Sequence, residues 1–167
     1  MRFYRNLSVV AACVLALGLF AWAQGRKAGL WEVTSEMTWQ QSPFPAGMPS
    51  MGNHGPMGGP HTSQVCITQQ QLDKYGTIPP QTRGDCKVTN VDKKADGVTA
   101  EMECTGAMQG KGTMQATWAD DSHTSSTVHF IGEMQMGPNP HPVEWTMHSR
   151  SVYKGADCGS VKPLVVK

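Results

Sequence analysis

The sequence predicts an all-β domain, a single antiparallel meander that curls into an open or closed barrel and carries one short helical turn. Three observations lead there. Apolar and polar residues alternate with a period of two in several separate stretches, the signature of half-buried strands. Turn-forming pairs such as Asp96-Gly97 and Gly137-Pro138 fall between those stretches. No segment of the exported part has the longer periodicity of an amphipathic helix.

The fold does not begin at Met1. Arg2 and Arg5 form a positive start, Leu7 to Ala21 is apolar and uncharged, and Ala21-Trp22-Ala23 is a small-residue cleavage site. Residues 1–23 therefore read as a secretory signal peptide, with the exported domain over 24–167. Val10-Ala11-Ala12-Cys13 resembles a lipoprotein box, but an apolar run follows the cysteine where a polar tether is expected. The apolar run sits at the lower limit of a bilayer span, roughly 17 residues, so cleavage is preferred over an uncleaved anchor. No other segment is apolar enough to cross a membrane as a helix. Cleavage removes two of 14 basic residues and none of the 13 acidic ones, leaving a charge of −1 on 144 residues. That balance excludes a nucleic-acid binder working through bulk charge.

The elements follow in order. Residues 29–40 form a first strand, with Trp31, Val33, Met37 and Trp39 on one face and Glu32, Thr34, Glu36 and Thr38 on the other. Residues 42–63 are dense in Pro and Gly and read as a disordered loop. Val65 to Thr68 is a short strand; Thr68 and Gln71 make a capping box for one helical turn that Gly76 stops. Residues 78–84 are a loop. Cys86 to Val91 and Val98 to Cys104 pair as a hairpin, with Val98, Ala100, Met102 and Cys104 inward. Residues 106–112 link this hairpin to a strand over 113–119, with Met114, Ala116 and Trp118 inward. His123 to Ile131 is the next strand, which Met134 and Met136 extend. Pro138 to Pro142 breaks the chain before a last strand over 143–154, with Val143, Trp145, Met147 and Tyr153 on one face.

Four cysteines remain after cleavage: Cys66, Cys86, Cys104 and Cys158. An even number in an exported chain predicts two disulfides, with three connectivities open. Counting outward from the hairpin turn sets Cys86 opposite Cys104, so that pair is favoured and Cys66–Cys158 follows. No C-x-x-C pair is present, which argues against a zinc ribbon or a thioredoxin-type dithiol.

Several of these stretches occur together in a known family. Gly29-Leu30-Trp31-Glu32-Val33-Thr34, the Met/Pro-rich segment after it, Cys66-Ile67-Thr68, Gly84-Asp85-Cys86-Lys87-Val88, Cys104-Thr105-Gly106, Gly112-Thr113 and Gly155-Ala156-Asp157-Cys158 stand in its order. The chain resembles domain-of-unknown-function family 3617, small exported bacterial proteins. The resemblance covers nearly all of the exported chain and implies a periplasmic setting and a β-rich fold. It carries over no catalytic residue. Residues 52–61 depart from the family pattern by their added Gly and His.

Two features could carry function. Met48, Met51, His54 and Met57 recur every third residue, and His61 follows. Thioethers and imidazoles suit Cu(I), so this segment is the candidate metal site, for copper or silver. The plain alternative is a low-complexity loop that binds no metal. The second feature is a set of inward methionines, Met102, Met114, Met134, Met136 and Met147. Methionine adapts to irregular shapes, so the set serves either as ordinary core or as the wall of an apolar cavity. Asp120, Asp121, Ser122 and His123 have the residue types of a hydrolase triad, but neighbours on one turn point apart. Glu101 and Glu103, with Lys87 on the adjoining strand, read as a solvated charged face. The expectation is an exported, non-catalytic protein that needs no cofactor and binds a small apolar ligand or an envelope component; the alternative is a periplasmic Cu(I)/Ag(I)-binding protein.

Overall fold

The computed structural model describes residues 26–44, 59–79 and 86–164. Among them are seven strands: β1 (Gly29–Gln41), β2 (His61–Ile67), β3 (Cys86–Lys93), β4 (Gly97–Thr105), β5 (Met108–Trp118), β6 (His123–Met136) and β7 (Asn139–Gly155). One helix, α1 (Gln69–Tyr75), follows β2. The strands make one antiparallel sheet in the order β2-β1-β7-β6-β5-β4-β3. β3 to β7 run as an uninterrupted meander, and the β1–β2 hairpin adds to the free side of β7. The two edges, β2 and β3, are not paired with each other, so of the two expected forms the sheet takes the open one.

The period of two in the sequence becomes the two faces of this sheet. Trp31 and Phe130 are fully buried, and Val98, Ala116 and Val143 are nearly so. Alternate positions Glu101, Glu103, Lys111 and Arg150 are exposed. Most of the apolar face gathers around the stacked rings of Phe130 and Trp145, with centroids 5.3 Å apart. A second cluster joins Trp31, Val33, Val65 and Ile67 to Leu72 of α1.

α1 forms where its caps place it. The Thr68 hydroxyl accepts from the Gln71 amide, and the Gln71 side chain accepts from the Thr68 amide. Gly76 ends the helix in the left-handed region at φ 72°, which costs a residue without Cβ little.

The disulfides are Cys86–Cys104 and Cys66–Cys158. Cys86 and Cys104 are register partners on β3 and β4, as the count from the turn predicted. Cys158 ties the C-terminal segment to β2, where Pro163 bridges Cys66 and the Leu164 amide donates to the Cys66 carbonyl. That segment covers part of an open sheet edge.

Three expectations are corrected. Residues 108–112 are strand, not linker, so only Gly106-Ala107 separates β4 from β5. Their glycines are demanded by packing: a Cβ on Gly110 would meet the Ile131 carbonyl at 2.3 Å and Phe130 Cζ at 2.9 Å. Asn139 to Pro142 belongs to β7. Among the described residues β7 there pairs with β6 alone, because the β1 register ends at Gln41↔Glu144, and proline is tolerated along an unpaired side. The expected loop over 42–63 ends earlier, since His61 to Ser63 are the first residues of β2. Residues 45–58 of that loop lie outside the described residues.

Candidate functional site

The register sorts the inner face into cross-sheet bands. Ser63, Val33, Ser151 and Thr124 are successive partners on β2, β1, β7 and β6. Two residues further along lie His61, Ser35, Ser149 and Ser126. The next band is Met37, Met147, Val128 and Met114, and the one beyond is Trp39, Trp145 and Phe130. The face therefore grades from hydroxyl to thioether to aromatic along the strands.

These bands, Phe130 excepted, wall a cavity of about 520 Å³. The methionines on it are Met37, Met108, Met114, Met134 and Met147; Trp39 and Trp145 stand beside them. The segment that leaves α1 after the Gly76 turn closes one side with Thr77, Ile78 and Pro79. The size falls in the range of small-molecule sites, roughly 300–1,000 Å³, and the mix of a mostly apolar wall with a few polar groups is typical of them. None of the described wall residues is Asp, Glu, Lys or Arg.

The hydroxyl end is only partly satisfied. Ser35 and Ser149 share a hydrogen bond of 2.8 Å. Thr77 and Thr124 are 1% and 4% exposed, and their hydroxyl oxygens are buried with no hydrogen-bond partner. Trp118, the β5 partner of Thr124, carries the Arg26 guanidinium 3.5 Å from its ring centroid. Burial pulls the Arg26 pKa down to about 10, so it stays charged at neutral pH, and Arg26 is not part of the cavity wall.

A family model described as "Protein of unknown function (DUF3617)" matches residues 26–158. The chain belongs to this family. No match was found among curated proteins or among solved structures. The DUF3617 match spans all seven strands, so the cavity lies within the family's domain.

Of the candidate metal ligands, His61 lies at the start of β2, exposed and on the cavity rim. Met48, Met51, His54 and Met57 lie outside the described residues. Among the described residues no group of three or more His, Cys, Asp or Glu could hold a metal ion. Of the inward methionines, Met114, Met134 and Met147 line the cavity. Met102 is buried in the core, and Met136 at the end of β6 is half-buried and off the wall.

The Asp120–His123 turn is held by local bonds. His123 Nδ1 lies 2.9 Å from Asp120 Oδ2, while the Ser122 hydroxyl donates to Asp121 at 2.9 Å. Serine and histidine thus face different carboxylates. The Ser122 amide and then His123 hold the Asp120 carboxyl below the usual range; Lys27, then Ser122, does the same for Asp121. Glu101 and Glu103 are exposed, as is Lys87, the register partner of Glu103.

Sequence reasoning did not find Met108 or the hydroxyl band. Met108 sits in the 106–112 stretch, whose glycines read as a linker. Ser126, Ser149 and Ser151 keep the inward phase of their strands, and that phase was the available signal.

Proposed function

We propose that the chain is an exported, non-catalytic binding protein that holds a small apolar molecule against the inner face of its open sheet. One observation carries this reading: a cavity walled by five methionines and two tryptophans. Thioether side chains adapt to varied apolar shapes, and such walls recur where one surface accepts several partners. Two disulfides fit an oxidising compartment, in keeping with export. Among the described residues no helix is long and apolar enough to cross a membrane.

The test uses the exported chain and the uncharged dye Nile red. The proposal expects saturable binding at one site per chain, with energy transfer from tryptophan. Met147→Trp, which fills the cavity, weakens the dye at least tenfold while the circular-dichroism spectrum stays unchanged. Absence of saturable binding, or equal binding by a folded Met147→Trp variant, contradicts the proposal.

A further inference from the structure

The cavity has a direction, and that direction narrows the ligand. Resting on the binding role proposed above, we infer that the ligand is a single-chain, uncharged amphiphile, such as a chain alcohol or a neutral ester. Its head hydrogen-bonds Thr77 and Thr124, and its tail runs along the methionine and aromatic bands.

Three observations carry this. First, buried hydroxyls in folded proteins are almost always hydrogen-bonded, because an unpaired one forfeits its hydration. Thr77 and Thr124 nevertheless keep unpartnered hydroxyls in the cavity wall. They come from different elements, the turn after α1 and the start of β6, yet border the same space. A ligand head that both donates and accepts would satisfy them once rotation about Cα–Cβ turns these oxygens, which water does not reach in this conformation, toward the cavity.

Second, the described wall holds no Asp, Glu, Lys or Arg. A carboxylate or ammonium seated among these residues would lose its hydration with no opposite charge lining the space. Hydroxyls can serve a neutral head without that loss. Arg26 stacks on Trp118, the register partner of Thr124, and is not itself a wall residue, so an anionic head that reached it would show as octanoate matching octanol in the test below.

Third, the polarity is graded. Thr124, Ser126, Val128 and Phe130 follow one another at every second residue of β6. At about 3.3 Å per residue, the wall positions Thr124 to Val128 span roughly 13 Å, and Phe130 beyond them stacks on Trp145, which lines the cavity. One extended chain with its head at the threonines matches that track, whereas a uniformly apolar molecule leaves the hydroxyl end unserved.

The experiment is Nile red displacement from the exported chain at pH 7.5 by octanol, octane, octanoate and octylamine. Octanol is expected to bind at least tenfold tighter than octanoate and octylamine, both charged at that pH. Thr77→Val and Thr124→Val each remove one hydrogen bond to the head, so each is expected to weaken octanol about fivefold while leaving octane unchanged or tighter. Thr124→Ser keeps the hydroxyl and restores octanol binding. The valine variants lose an unpaired buried hydroxyl, so the ligand-free protein should melt no lower than the parent, which also shows that they fold. If the valine variants bind octanol as well as the parent does, or octanoate matches octanol, the head assignment is overturned and the apolar cavity stands. If neither octane nor octanol displaces the dye, both readings fail.

Discussion

Gly112 on β5 faces Phe130 on β6 as its register partner, and the Phe130 ring lies over the glycine. A Cβ at position 112 would stand 2.9 Å from the His129 carbonyl and 3.3 Å from Phe130 Cδ2. Phe130 is also stacked on Trp145, which lines the cavity, so pressure at Gly112 reaches the binding face. Gly112→Ala is expected to destabilise the fold by about 1–3 kcal/mol, the usual range for overpacking. Urea unfolding checks this; a neutral or stabilising change would show that Phe130 moves freely.

The two disulfides should differ in weight. Cys66–Cys158 spans 92 positions and Cys86–Cys104 spans 18. Loop-closure entropy gives the longer bridge roughly 4–5 kcal/mol and the shorter about 3. The Cys66→Ser/Cys158→Ser double variant should therefore lower the melting temperature more than Cys86→Ser/Cys104→Ser. It should also free the C-terminal segment from β2, seen as faster amide exchange at Leu164. Equal losses would mean that β2 holds that segment without the bridge.

Thr68→Ala removes the hydroxyl that accepts from the Gln71 amide and is expected to cost about 1 kcal/mol. Because α1 leads into the Thr77–Pro79 wall, the same variant should weaken Nile red binding severalfold. A stability loss with unchanged dye affinity would separate the cap from the cavity.

Near the N-terminus, Lys27 bonds Asp121 at 2.9 Å and lowers its carboxyl pKa. A carboxylate depressed in the folded state adds stability above its unfolded pKa, about 3.9, and loses it as pH falls through the folded value. The melting-temperature difference between the parent and Asp121→Asn should be present at pH 7 and vanish in acid. Both side chains keep about two-fifths of their surface in solvent, so the difference should be small and should shrink with added salt. A gap that persists at low pH would point to a contact other than this ion pair.

The sequence made the strands legible because one face of the sheet is buried and the other solvated, so burial repeats every second residue. The Cys86–Cys104 pairing was legible because a hairpin register follows from its turn, and the Thr68–Gln71 cap because its chemistry is local. Glycine and proline misled. Gly110 and Gly112 serve close packing under Phe130, and Pro140 and Pro142 lie where β7 lacks its β1 neighbour. Neither circumstance can be seen without knowing which strands adjoin. The cavity was half legible: the methionines fell on inward positions, but their neighbours Ser149 and Ser151 are inward and polar. A reading that equates inward with apolar passes over them.

The most direct test labels the methionine methyl groups with carbon-13 and follows them by NMR as octanol is added. The account predicts saturable shifts at Met37, Met108, Met114, Met134 and Met147, which line the cavity, with much smaller ones at Met102 and Met136, which do not. Shifts of equal size at Met102 and Met136, or none at the five wall methionines, would contradict it.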